Sequence, residues 1–281
     1  MSGRSAASEP NAARELVGRV VAYLAERPTE SPTIGTVASA LGVSPKLLAA
    51  LPTVRALLQP PGIEGFLDWT LRDWLAYHYL FVHQGYRYGL AELQPTWRGR
   101  IVLKNPLDCW VHQEIVHRTR PDVLVELGVA FGGSALFYAD LFDLAGHGEV
   151  LAVDLTLERA RDVSHPRLTL LEGSSIDAAT VAAVRARCQG RRTMVVADSN
   201  HAESHVLAEL RAYADLVGVG MYFVVEDTLA DVLGLMPVPI GGPLPAVEEF
   251  LRERDDFVQD LRVAERYVLS QSPYGYLRRV R

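Results

Sequence analysis

Within Val123-Leu-Val-Glu-Leu-Gly-Val-Ala-Phe-Gly-Gly-Ser134 an apolar run, an acid and a glycine-rich turn follow one another directly. Val123, Leu124 and Val125 predict a short strand buried on both faces of a parallel sheet. Glu126 falls near its end, Gly128, Gly132 and Gly133 supply the turn, and Ser134 opens a helical pattern through Leu136, Phe137, Ala139, Asp140 and Leu141. Strand, turn and helix in this order predict a ligand at the carboxyl edge of an open α/β sheet. The glycine spacing fits neither the dinucleotide fingerprint nor the phosphate loop, which ends in Gly-Lys-Ser/Thr. A carboxylate beside such a turn suits a ligand with a cationic amine, and S-adenosylmethionine is the ligand expected, with Glu126, Gly128, Gly132 and Ser134 as binding candidates. Taken alone, the segment also reads as a helix-opening turn with no ligand.

Downstream, strands and helices alternate, the pattern of a mostly parallel sheet with helices on both faces. Strands are expected at Val150–Asp154, Leu168–Glu172, Met194–Asp198 and Tyr222–Glu226, with a closing hairpin on the sheet edge from Tyr267–Ser270 and Tyr274–Leu277. Asp154 ends the second strand, where an acid accepts hydrogen bonds from both ribose hydroxyls of a nucleoside; a helix cap or solvated turn is the alternative. The segment Gly173-Ser-Ser-Ile-Asp177 places Ser174, Ser175 and Ile176 where an adenine ring is expected. Asp198, Glu226 and Asp227 converge on the same edge and would repel one another without a cation between them. Oxygen donors of this kind suit magnesium or manganese. Asp198 is counted with the cofactor site as well, and His201 stands three residues past it as a candidate base.

The remaining chain narrows the possibilities. A net charge of −6 over 281 residues argues against a nucleic-acid binder. Cys109 and Cys188 lack zinc-site spacing and are too few for a disulfide framework, so both read as structural in a reducing compartment. The N-terminus lacks a signal-peptide pattern and no apolar run suffices for a membrane span, so a cytoplasmic protein is expected. Residues 1–11 read as disordered, 12–94 as a helical region serving packing, dimerisation or as a lid, and 95–281 as the ligand-binding domain. Ile34 to Leu48 reads as two short helices about Gly42 with no basic face, which favours packing or dimerisation over DNA reading. Phe66, Trp69, Trp74, Tyr77, Tyr79, Phe81, Tyr86 and Tyr88 suit core, a subunit contact or one wall of a substrate pocket. The loop from Leu229 to Pro245 is placed to cover a substrate.

With these residues laid out, the chain from about residue 95 resembles the cephalosporin hydroxylase/rhamnosyl O-methyltransferase family. The stretches that carry the resemblance are Trp97 to Trp110, Arg120 to Gly128, Gly132 to Leu136, His165-Pro-Arg167, Gly173-Ser-Ser175, Asp198-Ser-Asn-His201, His205 to Tyr213, Val224 to Thr228 and the terminal Pro-x-Gly-Tyr-Leu. The resemblance implies an α/β class I methyltransferase (Rossmann-like) fold, S-adenosylmethionine and a divalent metal. It maps Asp198, Glu226 and Asp227 onto metal ligands and His201 onto the base. It also implies a homo-oligomeric enzyme acting on a small-molecule hydroxyl, such as a glycoside or polyhydroxylated metabolite of an antibiotic-type pathway. One departure stands out: the family's Asp-Ser-Asp-His reads Asp-Ser-Asn-His here, with Asn200 in third place. The rival expectations are a cofactor-binding accessory subunit of a partner enzyme and a ligand-responsive regulator using residues 33–50 on DNA.

Overall fold

The structure is a computed structural model that describes residues 8–27, 32–58, 70–84, 94–236 and 241–281. The chain divides into two compact units, residues 1–94 with 232–238 and residues 95–231 with 239–281.

The first unit is helical: α1 (Ser8–Ala25), α2 (Ile34–Leu41), α3 (Pro45–Ala49), α4 (Pro52–Leu58) and α5 (Leu71–Gln84). Helix α1 begins inside the segment expected to be disordered. Pro10 falls in its first turn, where the missing N–H has no intrahelical partner to lose, and Ala12 and Ala13 favour the helix. The two short helices about Gly42 are present, with Gly42 left-handed at φ 66° and its N–H on Ala38 and Ser39 carbonyls. Of the aromatic run, Trp74, Tyr77, Tyr79 and Phe81 lie on α5. Phe66, Trp69, Tyr86 and Tyr88 fall outside the described residues, as do residues 1–7 and part of the loop expected over the substrate.

The second unit opens on a small hairpin, β1 (Thr96–Trp97) and β2 (Arg100–Ile101), followed by α6 (Pro106–Thr119). Then come β3 (Val123–Leu127), α7 (Gly133–Ala145), β4 (Glu149–Asp154), β5 (Leu168–Glu172), α8 (Ala178–Cys188), β6 (Thr193–Ala197), α9 (Glu203–Tyr213) and β7 (Tyr222–Val225). Helices α10 (Thr228–Leu233) and α11 (Pro243–Glu253), strand β8 (Phe257–Gln259), α12 (Leu261–Ala264) and strand β9 (Tyr276–Arg279) complete it. One sheet runs in the order β5-β4-β3-β6-β7-β9-β8, parallel throughout except for β9, which pairs antiparallel with both neighbours.

Strand alternation divides the core between two faces. Leu124, Val150, Met194, Val196 and Val224 pack with α6 and α7, while Val123, Val125, Leu151, Val195 and Phe223 pack with α8, α9 and α11. The expected closing hairpin is corrected: β9 pairs with Phe257–Gln259, and the segment around Tyr267–Ser270 is a turn. Val268 there is left-handed at φ 65°, which breaks an extended strand. Strand β9 is also inserted beside β7 rather than placed on the sheet edge.

Between β3 and β6 the connections leave the sheet in opposite directions, and the crevice at their carboxyl ends is the switch point where such sheets take ligands. The two strand ends are very close. A β-carbon on Gly128 would lie 2.1 Å from the Asp198 carbonyl oxygen, and Gly128 itself has φ +99°. Gly128→Ala is therefore expected to lower stability by about 3 kcal/mol or more, read as a fall in the urea midpoint; an unchanged midpoint would mean that the strand ends separate easily.

Candidate active site

Local sequence sets the position of each polar side chain in the crevice. Asp154 closes β4 and turns back to the glycine-rich loop, its Oδ2 accepting the N–H groups of Val129 and Ala130 at 2.7 and 2.9 Å. Its other oxygen accepts the Thr156 N–H at 3.3 Å. The carboxylate expected on a ribose thus also holds the turn in shape, with Ala130 left-handed at φ 47°. Gly132, left-handed, precedes α7, whose first turn has no side-chain cap. A β-carbon on Gly132 would lie 2.7 Å from Val163, so packing also demands this glycine. The result is a rigid backbone cradle at an uncapped helix start, which fits an anionic group such as an amino-acid carboxylate.

Of the other cofactor candidates, Ser134 is buried at the start of α7 and Ile176 is exposed. Ser174 is half-buried on the loop after β5. Ser175 is buried and tied within the protein: its hydroxyl donates to Glu209 and lies 3.1 Å from His205 Nε2. Ser199 donates to the same Glu209 oxygen at 2.6 Å, so one buried carboxylate of α9 ties the loop after β5 to the loop after β6. Glu209 and His205 lie in the stretch that carries the family resemblance, yet their role shows only in three dimensions.

The acids converge as expected at one edge, and they bring a cation of their own. Lys104, 1% exposed, donates to Asp198 Oδ2 and, at 2.8 Å, to Glu226 Oε1, and lies 4.0 Å from Glu126. Its direction comes from Lys104-Asn-Pro106. Pro106 keeps Asn105 extended, and the Asn105 side chain caps α6 by accepting the Leu107 N–H. Burial alone would depress the Lys104 ammonium, but Asp198 and Glu226 outweigh it and hold the pKa well above the usual lysine range. Burial pushes the Glu126 carboxyl up to about 7, against the pull of Lys104. It raises Glu226 as well, again against Lys104. Buried His112 lies 3.9 Å from Glu226 and is pushed down to about 3, chiefly by burial, so it stays neutral.

On the far side of Asp198, ligand atoms of Asp198, His201 and Asp227 all fall within 4.8 Å of one another. His201 Nε2 is 3.4 Å from Asp198 Oδ1 and 3.0 Å from Asp227 Oδ2. Asp227 is fully buried in a left-handed conformation, φ 64°, with its N–H on the Ser272 hydroxyl. A non-glycine residue held there is the kind of strain that collects at functional sites. Burial would lower the His201 pKa, but Asp227 and Asp198 raise it well above the usual histidine value. Asp198 and Asp227 so placed offer the oxygen donors that a hard divalent ion takes, with the His201 imidazole directly beside them. Glu226, expected as the third acid of that set, instead faces Lys104. Asn200 is exposed and uses its side-chain oxygen on the Ala202 N–H at 2.9 Å, in a turn that leads into α9.

Comparison with known proteins gives this arrangement its setting. The sequence profile of the family described as rhamnosyl O-methyltransferase/CmcI matches residues 91–280. The chain belongs to that family. Rhamnosyl O-methyltransferase of Mycobacterium tuberculosis is 30% identical over 204 residues, covering 69% of this chain and 82% of the relative. That of Mycobacterium leprae is 30% identical over 188 residues, covering 65% and 82%. Among solved structures, "cmcI-D160 Mg-SAM" superposes with a TM-score of 0.53 at 26% identity, covering 66% of this chain and 77% of that one. "cmcI-N160 SAH" gives 0.51 at 27%, covering 66% and 83%. The fold is that of the class I methyltransferases, and the chain is an S-adenosylmethionine-dependent O-methyltransferase.

The double acceptance by Glu209 predicts a measurable tie between the two loops. Glu209→Ala should cost about 1–3 kcal/mol in urea unfolding. Full retention of stability would show that Ser175 and Ser199 satisfy each other without it.

Proposed function

We propose that the chain transfers a methyl group from S-adenosylmethionine to a hydroxyl of a sugar or similarly hydroxylated small molecule, with magnesium or manganese held at the crevice. The observation that carries this reading is the convergence of Asp198, His201 and Asp227 beside the glycine-rich cradle. The fit of the two carboxylates to a hard cation and of the cradle to an amino-acid carboxylate supports it, as does the "Mg-SAM" relative. When bound, the cofactor supplies an electrophilic methyl group and the ion supplies the charge that makes an acceptor hydroxyl easier to deprotonate.

The chain's own residues do the rest. Asp154 fixes through one oxygen the turn that would receive the cofactor, and its other oxygen accepts only the long Thr156 bond. Asp198 and Asp227 would hold the ion, with Glu226 beside them on Lys104. His201 stays outside the ligand set as the base: an ion on Asp198 and Asp227 would cancel the carboxylate charge that holds its pKa high, leaving Nε2 neutral to take the acceptor proton. Neither carboxylate is free to wander, because Asp198 is pinned by Lys104 and Asp227 by its backbone. A fixed acceptor position is worth as much to methyl transfer as the loss of the proton.

Methyl transfer from labelled S-adenosylmethionine to a panel of rhamnosides and related glycosides tests the reading. Activity is expected to vanish with a chelator and return with magnesium; full turnover in excess chelator removes the metal from the mechanism. His201→Ala should lower the turnover rate by about a hundredfold or more with cofactor affinity intact, and a near-normal rate would leave proton removal to solvent. Asn200→Asp should change magnesium affinity by less than about threefold, because position 200 points into its own turn; clearly tighter binding in a calorimetric titration would make it a ligand.

A further inference from the structure

The sequence contains only two lysines, Lys46 and Lys104, against 26 arginines. Among the described residues of the second unit Lys104 is the sole lysine, and it is the group buried among the acids. An ammonium is a compact point charge on a flexible stem, whereas guanidinium is a broad planar fork that stays where its hydrogen bonds fix it. The site therefore uses the one cationic side chain that can shift within a close-packed pocket.

Asp198 is the hinge of the arrangement. Its Oδ2 faces Lys104, and its Oδ1 faces His201 and the cluster completed by Asp227. One carboxylate thus belongs to two sets: an ammonium set with Glu226 and Glu126, and an ion set with Asp227, beside His201. A divalent ion drawing on Asp198 brings its charge within a few ångströms of the Lys104 ammonium, and like charges at that range in a buried site repel strongly. Without Lys104, however, Glu226, Glu126 and the Oδ2 side of Asp198 would lose their cation whenever no ion is present, since His201 reaches only Asp227 and the other oxygen of Asp198.

We propose that Lys104 is a built-in counter-ion of the acidic cluster, one that holds Asp198 and Glu226 in place in the ion-free protein and competes with the divalent ion for Asp198. It is a positioning residue, and its effect is to loosen metal binding while keeping the empty site folded. The proposal rests on the metal reading above and adds to it a residue that sets metal affinity from outside the ligand set.

The experiment uses the full chain and magnesium alone, in wild type, Lys104→Met and Lys104→Gln, the last keeping a hydrogen-bond donor should the methionine variant fold poorly. Calorimetric titration with magnesium chloride should give binding about tenfold or more tighter in both variants than in wild type. Thermal melts in chelator should show the variants less stable than wild type, and added magnesium should raise their melting temperatures by more than it raises that of wild type. A merely structural lysine would give the first loss without the second recovery. Measurable magnesium binding of equal or weaker affinity in the variants overturns the competition and leaves the metal reading standing. Absence of magnesium binding from all three proteins overturns both.

Discussion

Carboxylates gathered at one sheet edge cannot be buried without positive charge, and the ammonium of Lys104 supplies it from within the chain. It reaches across the carboxyl ends of β3, β6 and β7, touching Asp198 and Glu226 and approaching Glu126. Much of the surrounding structure serves that one side chain. The Asn105 cap and Pro106 set the start of α6, and the Asn105 amide also donates to the Leu269 carbonyl at 2.8 Å. One turn on, Asp108 accepts from Ser270, the Gln271 N–H and Tyr276, which binds α6 to the segment before β9. A parallel sheet leaves its strand-end acids unsupported from the sheet itself. Here a helix that precedes the sheet and a strand inserted late in it close over them.

The parts legible in the sequence were those governed by short-range rules. Short, largely apolar runs bounded by turns and alternating with helical patterns marked the five consecutive strands β3 to β7, the order a parallel sheet requires. The acids at strand ends were legible for the same reason: once a strand is placed, its carboxyl end is placed. What lay hidden depended on long-range approach. Lys104 sits 94 residues from Asp198 and 122 from Glu226 in sequence, and although it lies in a stretch that carries the family resemblance, nothing local assigns it to the acids. Glu226 reads as one more acid beside Asp227. Only the lysine's position shows that the two neighbours face different partners. The closing hairpin failed on a backbone feature, the left-handed Val268, that periodicity does not register.

Glycines illustrate a related ambiguity. A glycine-rich turn after a strand reads naturally as room for a ligand, yet Gly128 and Gly132 are required here by the protein's own contacts, with the Asp198 backbone and with Val163. The two explanations are compatible, since a turn drawn tight against neighbouring segments presents its backbone in a fixed shape. Asp154 completes that shape by accepting two N–H groups of the turn. The acid that a nucleoside reading assigns wholly to ribose thus carries a structural duty through one oxygen. Replacing it would disturb the cradle as well as any ribose contact.

The group of Ser175, Ser199, His205 and Glu209 resembles a hydrolytic relay in composition but not in geometry. A relay needs the acid on one imidazole nitrogen and the hydroxyl on the other. Here His205 Nε2 alone lies near both serines and near Glu209, at 3.1, 3.2 and 3.4 Å, so no proton path runs from hydroxyl through ring to acid. Both hydroxyls already donate to Glu209, which is fully buried. Tyr213 adds a bond to the Ser175 carbonyl at 2.6 Å. Every one of these contacts joins α9 to a loop leaving the carboxyl edge of the sheet, one next to the cofactor cradle and the other bearing Asp198 and His201. The quartet is a brace: it fixes the separation of the loops that follow β5 and β6 at the carboxyl edge of the sheet.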